Sequence, residues 1–288
     1  ALAQGSPDEF IKSAQSHKEF ALLPSLGQAN LFSQAMEGLE LATPEGVWFI
    51  SQKDLVAQRA PLGDPEILKI GHDLKALLPI LKAQGMALMP PFFDTMIAAY
   101  LIEPGRRAYP SEGGCPGLLL AKNDLEKELQ ARNLEKLFFD LELPLIPILA
   151  AMEERGIMIN ADYLKTLSLA LHARLTGLEK EIWEASGSQF NIASPLQLRE
   201  VLFDKLKLST KGIGHGKTGL STGAESLEKL QGTHPIIPLI LEHRELSKLT
   251  TTYVDVLPTL ADHQARVHTT FNQTIAATGR LSSSSPNL

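Results

Sequence analysis

The side chains nearest the C-terminus are the first candidates for chemistry. Arg280 stands in Thr278-Gly279-Arg280-Leu281-Ser282-Ser283, and Asn287 follows in Pro286-Asn287-Leu288. A guanidinium is a planar fork of N–H donors that can serve several acceptors at once. By residue type alone, the better readings are a surface arginine in a strand-edge turn for Arg280 and a turn residue after proline for Asn287. Asn272 and Gln273 carry amides that either reach a ligand or fix their own backbone. A second group is the stretch with Lys205, Lys207, Lys211 and Lys217, which has no acidic residue between Asp204 and Glu225 and includes the hydroxyl pair Ser221-Thr222. Lysine charges with hydroxyl or backbone N–H donors suit phosphates; a solvated surface loop is the plain alternative. Arg244 and Lys248 share one side of a helix at that spacing, with Glu245 as an ion-pair alternative. His72-Asp73 suggests a metal or acid–base pair, but no third ligand accompanies it. His243, between Ile240 and Leu246, reads as a packed histidine.

These groups must be positioned by two kinds of scaffold. The first ~130 residues read as mixed α/β. Ser6-Pro7-Asp8-Glu9 is a helix start with a capping box. Phe20 to Leu23 is a short apolar run. Leu39 to Thr43 and Val47 to Ser51 flank the turn Pro44-Glu45-Gly46. Ile67 to Ile70 is a further buried strand, and Leu74, Leu77, Leu78 and Leu81 are spaced as a helix. Met86 and Met89 read as fillers of a core gap. Asp94 can cap the next helix. Pro104 to Gly117 reads as loop.

The later part is mainly helical. Leu137 to Arg155 is one helix, kinked or delayed by Pro144 and Pro147, and Gly156 ends it. Asn160 caps a long amphipathic helix whose face is Leu164, Leu167, Leu171, Leu175, Leu178 and Ile182. Ser194-Pro195 opens a helix through Leu206. Thr210 to Gly223 has no periodicity and is expected to be a mobile loop. Pro235 to Val256 is a helix again, with Ile236, Leu239, Ile240, His243, Leu246 and Leu249 as its face. Two long helices around a basic loop suggest an antiparallel arm projecting from a body. Arg266 to Ala276 has β character.

A length of 288 residues suits about two domains. The hydrophobic content of 44% is enough for real cores. No run approaches the ~20 apolar residues of a membrane helix, and no leader-like segment opens the chain. The single cysteine, Cys115, excludes an internal disulfide and fits a reducing cytoplasm. A net charge of -6 excludes a simple polyanion binder, although a local basic stripe can suffice for nucleic acid.

The order of motifs points further. Thr278 to Ser283 with Pro286-Asn287-Leu288 resembles the TGRLSS…PNL signature of family A DNA polymerases, the bacterial DNA polymerase I class. Arg266-Val267-His268-Thr269, Phe271-Asn272-Gln273-Thr274 and the string from Arg244 to Tyr253 stand at the spacing of that family. Glu142-Leu143-Pro144-Leu145 through Gly156 is similar to its entry into the polymerase domain, and Phe190-Asn191 follows in order. The similarity runs almost continuously over residues ~137–288. It departs at Ser285, where the family commonly has Asp.

The resemblance implies two domains. Residues 1–134 would be a 3′–5′ exonuclease-like domain of RNase H-like α/β fold; residues 135–288 would be a mainly α thumb and the first β elements of a polymerase palm. Gly71 to Lys75 and Phe93 to Leu101 carry the weaker likeness of the first domain. Proofreading needs clustered carboxylates around two metal ions. Leu23, Ser25 and Leu77 occupy three of the family's acidic positions, and the later Tyr/Asp motif has no clear counterpart. Leucine cannot ligate a hard cation, so the exonuclease is expected to be inactive and no metal is expected in the chain.

By the same resemblance, Arg280 would donate into the minor groove at the primer end, where acceptors recur at every base pair. Asn287, Gln273, Asn272, Lys248, Arg244, Ser221, Thr222, Lys217 and Lys211 would contact the duplex. The parent would be a DNA-directed DNA polymerase that uses dNTPs and Mg²⁺ on primer–template DNA, a cytoplasmic monomer without a membrane role. The family's palm aspartates and fingers follow the PNL string, so none of these 288 residues is expected to be catalytic. The break inside a motif suggests truncation. A stand-alone, non-catalytic duplex-binding module is the alternative, and an exonuclease with displaced ligands a third possibility.

Overall fold

The computed structural model describes residues 6–26, 36–216 and 219–288. By packing, residues up to Gly156 group with His268–Leu288, while Ile157–Val267 form a second unit.

The first unit is built on a five-stranded mixed sheet. Helix α1 (Pro7–His17) begins with the expected reciprocal cap between Ser6 and Glu9. It leads into β1 (Glu19–Leu26), β2 (Met36–Thr43) and β3 (Gly46–Ser51). A short 3-10 turn, α2 (Arg59–Gly63), β4 (Leu68–Gly71), α3 (Leu74–Ala83), β5 (Phe92–Asp94) and α4 (Thr95–Ile102) follow. The sheet order is β3-β2-β1-β4-β5. The β1–β2 and β2–β3 ladders are antiparallel, and the β1–β4 and β4–β5 ladders parallel. The β4 ladder on β1 stops at Ala21, so Pro24 lacks an N–H only where a single ladder remains. Phe10, Phe20, Leu39, Leu41 and Ile70 form the core beside the sheet, with Phe10 edge-on to Phe20.

Asp94 joins two helices. Its carboxylate caps α4 at the Met96 and Ile97 N–H groups, as expected, and also accepts from Leu74 N–H at the start of α3, 2.6 Å away. Burial pushes this carboxyl up, against the opposing pull of those backbone donors.

Three local expectations need correction. The loop after Pro104 ends early: α5 (Gly114–Ala131) starts inside it. Its entry needs glycine, because a Cβ at Gly117 would lie 1.9 Å from the Glu112 carbonyl oxygen. Pro144 and Pro147 do not delay the next helix. A first turn, α6 (Glu135–Leu137), runs through a π-helical turn at Phe138–Glu142 into α7 (Leu143–Arg155). The wider turn is one way to absorb missing donors. Met86 is buried as expected, but Met89 is exposed.

The second unit is mainly helical. A strand pair of β6 (Ile157–Met158) and β9 (Arg266–Val267) closes it. Asn160 caps α8 (Ala161–Ser186) at Tyr163 N–H, and Ser194 caps α9 (Pro195–Arg199), which passes into a π-helical segment, Glu200–Lys205. Helices α10 (Ala224–Lys229) and α11 (Ile236–Leu249) follow, and a second π-helical segment, Thr250–Val254, extends α11. Helices α8 and α11 run antiparallel: Arg174 makes two bonds to Glu242, at 2.8 and 2.9 Å, while Ser168 bonds Asp255 at 2.7 Å. The leucine stripe of α8 is only half-buried along most of its length and buried at Leu178 and Ile182. Ile182, Leu198, Leu202, Leu227, Ile236 and Ile240 make the core. His243 is buried as a packed residue, its ring 3.7 Å from Glu179. The Thr210–Gly223 segment is not featureless. It contains a two-rung ladder of β7 (His215–Gly216) and β8 (Gly219–Leu220), and Ile213 is buried.

Candidate nucleic-acid interface

The candidate residues fall into two groups, one in each unit. In the first unit, β10 (Thr270–Asn272) pairs antiparallel with β11 (Ser282–Ser284). The connection between them turns at Gly279, whose φ is +76°. Arg280 follows that glycine, exposed and without a hydrogen-bond or ion-pair partner among the described residues. A free guanidinium at a turn can reach acceptors on a ligand. Asn287 is also exposed, with its Oδ1 accepting from Ser283 Oγ at 3.2 Å. Asn272 is half-buried, and its amide donates to Ser284 Oγ at 2.9 Å. Gln273 is buried, and its amide donates to the Glu142 carboxylate at 2.8 Å and the Glu142 carbonyl at 3.1 Å. Both amides therefore fix backbone and neighbouring side chains in this conformation.

Three groups of the sheet unit hold this terminal segment. Glu142 takes Gln273. Glu153 accepts the Phe271 N–H at 2.7 Å and is itself paired with Lys75 at 2.5 Å. Tyr100 donates its hydroxyl to the Ala276 carbonyl at 2.8 Å. Burial first, then the charge of Glu142, pushes the Tyr100 hydroxyl up in pKa, so it stays a donor. A cavity of about 300 Å³ lies beside Glu153, lined by Asp73, Lys75, Asp94, Glu153 and Asn272 among others. The sequence reading missed Glu142, Glu153 and Tyr100 as positioning groups. Nothing local could have revealed them, because their partners lie more than a hundred residues away.

In the second unit, Lys211, Lys207 and Lys248 are exposed, and Lys205 donates to Ser188 Oγ at 2.7 Å. Lys217 lies outside the described residues. Ser221 Oγ accepts from Gly223 N–H at 3.1 Å, and Thr222 is buried. Arg244 bonds not Glu245 but the Thr222 carbonyl, as a charge-assisted donor. Burial lowers its pKa from the ordinary guanidinium value without discharging it.

The three residues expected at an exonuclease's acidic positions lie on the sheet and beside it. Leu23 and Ser25 are two apart on β1, opposite Glu40 and Gly38 of β2, and Leu77 is buried on α3. The carboxylate opposite Leu23 is already engaged: Glu40 accepts the Cys115 N–H at 2.7 Å, seating the first turn of α5. The Cys115 thiol donates to the Glu40 carbonyl at 3.0 Å. His72 bonds Thr95 Oγ1 at 2.9 Å, and Asp73 caps α3. Among the described residues, no three His, Cys, Asp or Glu side chains are grouped as a metal ion would need. Among the described residues, no helix is long and apolar enough to cross a membrane.

Residues 161–288 match the family model described as DNA polymerase family A. The chain belongs to that family. DNA polymerase I of Synechocystis sp. is 53% identical over 176 residues, 60% of this chain and 18% of the relative. DNA polymerase I of Deinococcus radiodurans is 37% identical over 86% of this chain and 26% of the relative. That of Geobacillus stearothermophilus is 32% identical over 100% of this chain and 37% of the relative. The chain thus spans about a third or less of these family A polymerases. Among solved structures, the POL domain of Pol1 from M. smegmatis, in complex with DNA primer-template and dNTP, is similar at a TM-score of 0.85 and 29% identity. The match covers 99% of this chain and 55% of that one.

Proposed function

We propose that these 288 residues are the duplex-holding part of a template-directed DNA polymerase of replication or repair. One observation carries the reading: the string from Thr270 to Ser284 folds as a hairpin that leaves Arg280 exposed after its turn, in a chain similar throughout to a polymerase solved on primer-template. On this reading Arg280 and Asn287 meet the primer end of the duplex. Lys211, Lys217, Lys248 and the Ser221-Thr222 stretch meet phosphates, which position a duplex without reading its sequence. Gln273, Asn272 and Arg244 serve by holding those groups in place. Mg²⁺ and dNTP belong to the parent enzyme, which acts in the cytoplasm as a monomer, and no residue here is assigned to the chemical step.

The sheet unit is proposed to be the RNase H-like exonuclease domain without its activity, ahead of the thumb and the start of the palm. Its 3-2-1-4-5 strand order supports the fold, and Leu23, Ser25 and Leu77 support the loss. The two leucines offer a magnesium ion no oxygen ligand, and Ser25 offers a neutral hydroxyl in place of a carboxylate.

Primer extension with Mg²⁺ and dNTPs, on this chain and on the complete gene product, tests the proposal. Extension by the complete product alone is the expected result. Extension by neither, with duplex binding retained, would leave a non-catalytic binding module. Metal-dependent removal of a primer 3′ end by this chain would overturn the inactive-domain assignment.

A further inference from the structure

Among the described residues the Arg280 guanidinium has no hydrogen-bond or ion-pair partner, so the turn before it decides where the side chain leaves the backbone. That turn is small. The Ala276 carbonyl accepts the Gly279 N–H at 3.1 Å, and the same oxygen accepts the Tyr100 hydroxyl at 2.8 Å. Tyr100 is 2% exposed and belongs to α4 of the sheet unit. Its ring is held edge-on by Tyr109, with centroids 6.0 Å apart, and the Tyr109 hydroxyl is anchored on the Glu103 carbonyl at 2.9 Å. The other end of α4 is fixed by the buried Asp94 cap. A line of buried and part-buried bonds therefore runs from the sheet to the base of the Arg280 turn.

We propose that Tyr100 is a positioning residue that sets the Arg280 turn, so that the sheet unit braces the primer-end contacts. This rests on the duplex-holding reading given above. It also supplies a reason for the unit to stand without metal-binding carboxylates at Leu23, Ser25 and Leu77. Its part is to hold backbone in place, and a hydroxyl on a rigid helix does so by a single directional bond.

A double-mutant cycle on the full 288-residue chain tests the brace. The duplex is one with a recessed 3′ end, and binding is read by fluorescence anisotropy for wild type, Tyr100→Phe, Arg280→Ala and the double variant. Loss of one buried hydrogen bond is expected to weaken binding about 3- to 10-fold in Tyr100→Phe. Arg280→Ala should weaken it at least as much. If Tyr100 acts through Arg280, the double variant binds no worse than Arg280→Ala alone. The same loss in both backgrounds, or wild-type binding by Tyr100→Phe, would overturn the proposal. Hydrogen exchange supplies a second readout that needs no DNA. Tyr100→Phe should speed exchange at the Gly279 amide while β1 and β2 amides keep their protection; an unchanged Gly279 amide would also overturn it. Failure of the wild-type chain to bind duplex would count against the functional reading, and the exchange result would still decide whether Tyr100 holds the turn.

Discussion

The two regions that carry the candidate DNA contacts are held in opposite ways. The terminal segment from His268 buries no large apolar side chain of its own, and it is fixed by buried and part-buried polar bonds to Glu142, Glu153 and Tyr100. Among its described residues, the Thr210–Gly223 segment rests on two buried side chains, Ile213 and Thr222, a two-rung ladder, and bonds from Arg244 to the Thr222 carbonyl and from Lys229 to the Gly212 carbonyl. Its glycines open the backbone: Gly212 and Gly219 take φ values of +79° and +121°. Polar bonds in a low-dielectric interior are directional and fix geometry closely, whereas a glycine-rich loop with few tethers keeps local freedom. A group that senses the shape of a base pair needs the first kind of support. A group that follows a phosphate backbone works with the second.

Glu153→Ala should give the largest effect. It leaves the Lys75 amine enclosed without its carboxylate and the Phe271 N–H without an acceptor, and is expected to cost about 3–5 kcal/mol in urea unfolding. A cost below about 1 kcal/mol would class the bridge with solvent-screened pairs and break the contrast.

Lys69 sharpens it from the other side. This lysine is 0% exposed, on β4, and among the described residues its amine donates only to the backbone carbonyl of Asp64. Burial lowers its pKa to about 8, with the charge of Asp64 opposing. The unfolded chain, near 10.5, binds the proton more tightly, so the penalty is full below about pH 8 and fades as pH rises toward 10.5. Stability of the wild type should therefore gain on Lys69→Met across that window. At pH 7 the methionine variant should be more stable by up to about 3 kcal/mol. A flat difference between the two proteins from pH 7 to 10 would refute this.

The smallest effect is expected from Arg244→Ala, about 1–2 kcal/mol for one charge-assisted bond. It should appear mainly as faster hydrogen exchange around Thr222, with helix α11 amides unchanged. Global unfolding of the second unit at the same rate would mean that the loop is not held separately.

What could be read from the sequence was local. The Ser6 box, the Asp94 and Asn160 caps and the stop at Gly156 all depend on residues within a turn of each other, and each stands where its pattern put it. The turn at Pro44-Glu45 was equally plain, with Thr43 facing Gly46 across it. Helix α5 was hidden because its first turn is Gly-Cys-Pro-Gly, which reads as loop; only the distant Glu40 carboxylate makes that entry favourable. The double service of Asp94 was half visible. Its cap on α4 is adjacent in sequence, but its bond to Leu74 depends on β4 and β5 lying side by side. The destinations of the Gln273 and Arg244 side chains had no local signal at all, because each is chosen by what the fold brings near.

The seat of α5 on Glu40 has a practical side. Cys115 is the chain's only cysteine, it is fully buried, and burial first, then the Glu40 charge, pushes its thiol up. Thiol reagents attack the thiolate of an accessible cysteine, so the native protein offers them no target. A cysteine introduced at an exposed position such as Lys211 would be the chain's sole reactive handle, and a dye or spin label could be attached there without first removing the natural residue.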